Sequence, residues 1–180
     1  LKMDEKVNDK MHIAAWLGNI GNVYKMKALA VIDNEILRDS LNGKALDNYF
    51  RSLKLDEELG DKNGTSRALD LIGNLYLEKK DDQNALIYYS KSLKIAEEIG
   101  DKNHIPVILK NIGSLYVIFG QKSKGGIAYK TAEEYMLKAI KLNSEMGALN
   151  QTMDAESTLS ELYSLMNKDA LALEHFKKYI

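Results

Sequence analysis

The chain has 180 residues, 45% of them hydrophobic and 28% charged, with 25 basic against 26 acidic side chains and no cysteine. That size and balance give one ordinary domain or a short repeat array with enough apolar residues for a core. They exclude a disulfide framework, a thiol nucleophile, a thiolate metal site and a basic footprint for nucleic acid.

No apolar run approaches the roughly 18–20 residues of a membrane span, and no signal peptide is legible. This piece is therefore expected to be soluble, cytoplasmic or periplasmic, without membrane contact. One proline and no sustained period-two alternation predict helix throughout.

In chain order, LKMDEKVNDK at Leu1 to Lys10 aligns with LKLDEELGDK at Leu53 to Lys62. The chain is thus expected to open in the end of one repeat and to be a slice of a longer array. NIGNVY follows at Asn19 to Tyr24, then ALDNYFRSLKLDEELGDKN from Ala45 to Asn63. LIGNLY at Leu71 to Tyr76 precedes ALIYYSKSLKIAEEIGDKN from Ala85 to Asn103, and 12 positions of these two 19-residue phrases are identical. NIGSLY at Asn111 to Tyr116 leads to Ala132, and a degenerate TLSELY at Thr158 to Tyr163 leads to Ala172. The expected boundaries are 1–10 (end of a preceding repeat), 11–62, 63–102, 103–149 and a truncated 150–180. Inserts are expected at about 26–41 and 121–128, the first as helix and the second, with Gly125 and Gly126, as a mobile loop.

Gly21, Gly73 and Gly113 each fall mid-helix, where glycine costs about 1 kcal/mol relative to alanine. A repeated cost predicts a repeated close crossing, with Ala85, Ala132 and Ala172 as the small residues opposite. Tyr24, Tyr76, Tyr116 and Tyr163 lie three residues further on the same face and should wedge between helices. Gly60 and Gly100 fit helix C-caps, and Asn63 and Asn103 the following N-caps. Pro106 then falls in a first turn, where its missing N–H costs nothing.

Gly-x-x-Tyr followed by Ala-Leu-x-x-Tyr (Gly73, Tyr76, Ala85, Tyr89) resembles the tetratricopeptide repeat, here with a 40-residue period rather than the usual 34. It looks like the long-repeat variety of signalling scaffolds and of the sensory region of bacterial regulators. The resemblance implies an all-α solenoid, a right-handed superhelix of antiparallel helix pairs. It also implies a partner-binding concave face lined by the first helix of each pair. Those positions give Asn22, Arg67, Asp70, Asn74, Lys110, Ser114 and Glu161, together with Gly18 and Glu156 or Ser157. Asn22, Asn74 and Lys110 match a carboxylate clamp known in the family, but Gly18 and Ser114 replace two of its cations. A mixed polar groove for a peptide or helix is expected instead.

GQKSKGGI at Gly120 to Ile127 lacks the Lys-Ser/Thr of a phosphate loop and follows no strand. His12, His104 and His175 show no metal-ligand spacing, and the adjacent glutamates at Glu57, Glu97 and Glu133 read as solvated helix face. Tyr88, Tyr129 and Tyr135 lie off the repeat pattern and are expected at the surface. No cofactor, metal or catalytic residue is expected. The reading is a non-catalytic protein-interaction module. Its rival is a regulatory or sensory segment of a larger bacterial kinase, nucleotide cyclase or transcription regulator, acting by self-association. Apolar Leu171, Leu173, Phe176, Tyr179 and Ile180 on the last helix predict either a homodimer through the ends or marginal stability there.

Overall fold

The computed structural model describes the backbone of residues 2–123 and 125–180 and the side chains of residues 9–123 and 125–180. Among them are eight helices and no strand: α1 (Lys2–Leu29), α2 (Glu35–Leu59), α3 (Lys62–Glu78), α4 (Asp82–Ile99), α5 (Ile105–Ser123), α6 (Ile127–Glu145), α7 (Leu149–Leu165) and α8 (Asp169–Tyr179). They pair as hairpins, α1 with α2, α3 with α4, α5 with α6 and α7 with α8. Two compact units result, residues 1–99 and 100–180.

In the first unit α2 also packs on α3. Ala45, Tyr49 and Leu53 of α2 share a buried core with Ala68, Leu69, Ile72 and Leu75 of α3. In the second unit α6 packs on α7, with Ala132 and Met136 sharing a buried core with Leu159, Leu162 and Tyr163 of α7 and Ala172 of α8.

The mid-helix glycines sit at close crossings, but alanine is not what they face. A Cβ on Gly21 would lie 2.4 Å from the Tyr49 ring, one on Gly73 2.7 Å from Tyr89, and one on Gly113 2.9 Å from Met136. The large side chain one turn beyond each alanine fills the space the glycine leaves. Ala45, Ala85 and Ala132 are themselves fully buried. The tyrosines wedge as expected: Tyr76 stacks on Tyr88 at 5.3 Å and Tyr116 on Tyr135 at 5.8 Å. Tyr88 and Tyr135 are therefore packing residues rather than surface contacts. Tyr129 packs too, its ring lying where a Cβ on Gly120 would stand.

Gly60 and Gly100 take left-handed φ of 68° and 67°. The N-cap of α3 is then Asp61, whose side chain accepts from Gly64 N at 3.0 Å, while Asp101 accepts from His104 N at 3.1 Å in the turn that precedes α5. Of the expected caps, Asn63 falls two residues too late, inside α3, and Asn103 lies in the turn before α5. The left-handed glycine reverses the chain in one residue, so the carboxylate immediately after it already stands at the new helix start.

Both inserts are absorbed largely as helix. The first lengthens α1 to Leu29 and starts α2 at Glu35, where Asn34 caps Leu37 N at 2.9 Å. The second lengthens α5 to Ser123, and α6 resumes at Ile127. Most side chains of the Leu1–Lys10 motif lie outside the described residues, as does Lys124. The backbone of the motif from Lys2 on is continuous with α1.

Candidate functional site

A groove of about 600 Å³ runs between α1 and α3 in the first unit, with α2 beneath it. The hairpin α1–α2 is fixed at this point by Ser52 Oγ, which donates to the Ala14 carbonyl at 2.8 Å. Met11, Ala15 and Leu71 give the groove apolar surface; Asn19, Asn22 and Arg67 give it polar groups. Arg67 is exposed and has no ion-pair partner among the described residues.

Asn22 is set from behind. The Tyr49 hydroxyl, on α2, passes under Gly21 and donates to Asn22 Oδ1 at 2.7 Å. Burial pushes the Tyr49 phenol up to about 12, and the Glu78 carboxylate adds to it, so the hydroxyl keeps its proton. Asn22 lines the groove, and the bond at Oδ1 leaves its amide N–H groups as its hydrogen-bonding capacity. The next hairpin repeats the device: Tyr89 donates to Asn74 Oδ1 at 2.9 Å, and Asn74 Nδ2 donates to Asp70 at 3.3 Å. Burial first, then the Asp70 and Glu78 carboxylates, hold the Tyr89 phenol well above its ordinary value.

At one end of the groove lie two carboxylates that position-based reasoning does not supply. Asp56 is buried beneath Gly64, where a Cβ would stand 2.6 Å from its carboxyl carbon. Burial, reinforced by the Asp61 charge, pushes the Asp56 carboxyl up to about 6, against the lowering effect of the Ser52 hydroxyl. Asp61 lines the same end while capping α3. The signal was present in the repeat comparison: Asp56 stands where the next copy has Ala96, and Gly64 where it has His104.

The expected groove residues thus divide by unit. Asn22 and Arg67 line one groove, and Asp70 and Asn74 continue along α3. Lys110 and Ser114 on α5 and Glu161 on α7 belong to the second unit. There Lys110 approaches Asp154 of α7 at 3.9 Å and Glu161 is exposed. Glu156 is not a groove residue: it is buried and paired with His175 Nδ1, whose ring lies 5.2 Å from that of Tyr163. Glu133 also departs from a solvated face, accepting from the Tyr163 hydroxyl at 2.7 Å. No helix among the described residues is long and apolar enough to cross a membrane.

Paired helices crossing at glycine, wedged by tyrosine and repeated in register, define a tetratricopeptide-like helical-repeat fold. Solved structures agree. RapI, in its apo form, superposes with a TM-score of 0.77 at 19% identity, over 94% of this chain and 55% of RapI. BtubC from P. vanneervenii gives 0.69 at 15% identity, over 99% of this chain and 72% of that one. A kinesin light chain of Podosopora anserina with nearly identical TPR-like repeats gives 0.56 at 9%, over 97% and 93%. The chain spans about half the length of RapI. No protein-family model matches the sequence, and no curated protein does.

Proposed function

We propose that this chain is a non-catalytic protein-interaction module whose first unit holds a peptide or helix in the α1–α3 groove. The observation that carries the proposal is the Tyr49–Asn22 bond, which fixes the Asn22 side chain in the lining of the groove, together with Arg67, exposed there and without an ion-pair partner among the described residues. A side chain held in its binding rotamer loses less entropy on association. Amide donors suit a peptide carbonyl, and the Arg67 guanidinium suits an acidic group on the ligand. The apolar surface of Met11, Ala15 and Leu71 would cover the ligand's aliphatic side chains.

Peptides selected from a random display library on the immobilised chain provide the test. Asn22→Ala with Arg67→Ala should weaken the selected peptides at least tenfold in calorimetric titration, with an unchanged circular dichroism spectrum. Unchanged affinity would place binding elsewhere and end this reading. The rival proposal, a regulatory segment acting through self-association, is favoured by a different observation, the exposed apolar face of α1.

A further inference from the structure

The floor of the α1–α3 groove holds a carboxylate that the repeat does not require. Asp56 of α2 is 6% exposed, yet it lines the groove together with Asp61 at the start of α3. Neither carboxylate has an ion-pair partner among the described residues. Ser52 Oγ reaches Asp56 at only 3.4 Å, and its one proton is shared with the shorter bond to the Ala14 carbonyl at 2.8 Å. A buried carboxylate held this loosely costs stability. The next copy of the repeat avoids that cost, with a fully buried Ala96 at the same position. It also has His104 where Gly64 stands. Gly64 lets Asp56 reach the groove, since an added Cβ would stand 2.6 Å from the carboxyl carbon. A costly residue whose repeat copy is an ordinary packing residue marks a functional position.

Both walls and the floor of this groove belong to the chain itself. The titratable and charged side chains that line it are His12 of α1, Asp56 of α2, and Asp61 and Arg67 of α3. Charge is therefore divided along its length. Two carboxylates hold the end at the start of α3, and the exposed Arg67 stands further along the same helix, about 9 Å away by helix rise. An extended segment covers that distance in about three residues. Asn22 lies in the opposite wall. Its N–H groups suit the free carbonyls of an extended segment, whereas those of a helix are already bonded.

We infer that the groove selects an extended peptide segment by two charges: a lysine or arginine side chain of the ligand pairs with Asp56 and Asp61, and an acidic group about three residues away pairs with Arg67. This rests on the groove reading above and adds to it the feature that chooses among ligands. A cation brought to a buried, unpaired carboxylate relieves a cost that the free protein bears. The pair therefore discriminates more strongly than one on an open helix face. An acidic residue in place of the basic one would meet two like charges and be rejected.

Peptide display on the immobilised 180-residue chain, run in parallel on the wild type and on Asp56→Asn, tests the inference. Peptides selected on the wild type should share a Lys or Arg at one position and an acidic residue about three away. The Asp56→Asn pool should lose the basic residue and keep the acidic one. In calorimetry at pH 7.5, replacing the shared Lys or Arg by norleucine should weaken binding to the wild type about tenfold and change binding to Asp56→Asn by less than about twofold. Affinity for the wild type should also fall about tenfold from pH 7.5 to pH 5, as the Asp56 carboxyl takes up its proton. His12 gains charge over the same range in both proteins, so the difference between them reads Asp56. Acetylating the peptide N-terminus should change nothing; a loss there would move the cation to the α-amine and overturn the side-chain assignment. Without any peptide, butylammonium chloride should shift the Gly64 amide signal of the wild type saturably and leave that of Asp56→Asn in place. No such shift, or peptides bound equally well by both proteins, would overturn the inference. Peptides that depend on Asn22 and Arg67 but not on Asp56 would end it and spare the groove reading. Peptides indifferent to all three would end both. Asp56→Asn keeps the shape of the side chain, and its circular dichroism should match the wild type.

Discussion

Tyr89 crosses beneath Gly73 and delivers its hydroxyl to Asn74, so a residue of the second helix of a hairpin orients an amide on the first. Tyr49 does the same for Asn22 through Gly21. The space left by the glycine is what allows a buried ring to reach that far.

Removing the hydroxyl tests the link between packing and groove. Tyr89→Phe should cost about 1 kcal/mol, the net worth of one intramolecular hydrogen bond. It should also release the Asn74 amide, seen by NMR as a broadened side-chain NH2 signal, while the ring keeps the core filled. A sharp, unshifted Asn74 signal would show that Tyr89 does not hold it.

Glycine to alanine should change sign with position. At Gly73 the new methyl would meet the fully buried Tyr89 ring at 2.7 Å, and overpacking of this kind costs about 1–3 kcal/mol. At Gly43, mid-helix in α2, nothing lies within 4 Å. Gly43→Ala should therefore stabilise by about 0.5–1 kcal/mol through helix propensity alone. Thermal melts of the two variants should move Tm in opposite directions. A shared direction would separate the glycines from the crossing.

The Asp56 carboxyl, raised from 3.8 to about 6 by burial and by Asp61, should make the fold less stable as the pH rises. Between these two values the native state binds more protons than the unfolded chain. The stabilising contribution is complete below about pH 4 and gone above about pH 6. Asp56→Asn keeps the shape and carries no charge. Its Tm should sit close to that of the wild type at pH 4 and above it at pH 7.5. Parallel Tm curves across this range would contradict the assignment.

Glu156 and His175 join α7 to α8 inside the second unit. Glu156→Ala would leave a buried imidazole without its acceptor, at a cost of about 1–3 kcal/mol. Hydrogen exchange should quicken in α8 and leave α3 and α4 unchanged. Equal acceleration everywhere would indicate a global rather than a local effect.

The repeat was legible because each crossing constrains three residues at once: a glycine, the side chain beneath it and the tyrosine three residues on. The helix caps were less so. In Gly-Asp-Lys-Asn two good capping residues compete, and only the left-handed turn at Gly60 decides for Asp61. Tyr88 and Tyr135 read as surplus aromatics, since their partners Tyr76 and Tyr116 lie on other helices. Asn22 and Arg67 could be assigned to the groove from their place on the first helices. Asp56 could not, because it stands on a second helix and reaches the groove only where Gly64 has no side chain.

The tyrosine-to-asparagine bond beneath Gly21 and beneath Gly73 makes the first unit editable one hairpin at a time. Tyr49, Gly21 and Asn22 form one cassette; Tyr89, Gly73 and Asn74 form another. The third hairpin keeps the glycine but has Met136 and Ser114 in the other two places, so it packs without a polar tether. An engineer who wanted a third oriented amide would need only those two substitutions. Copying the methionine back into the first two hairpins would remove both tethers.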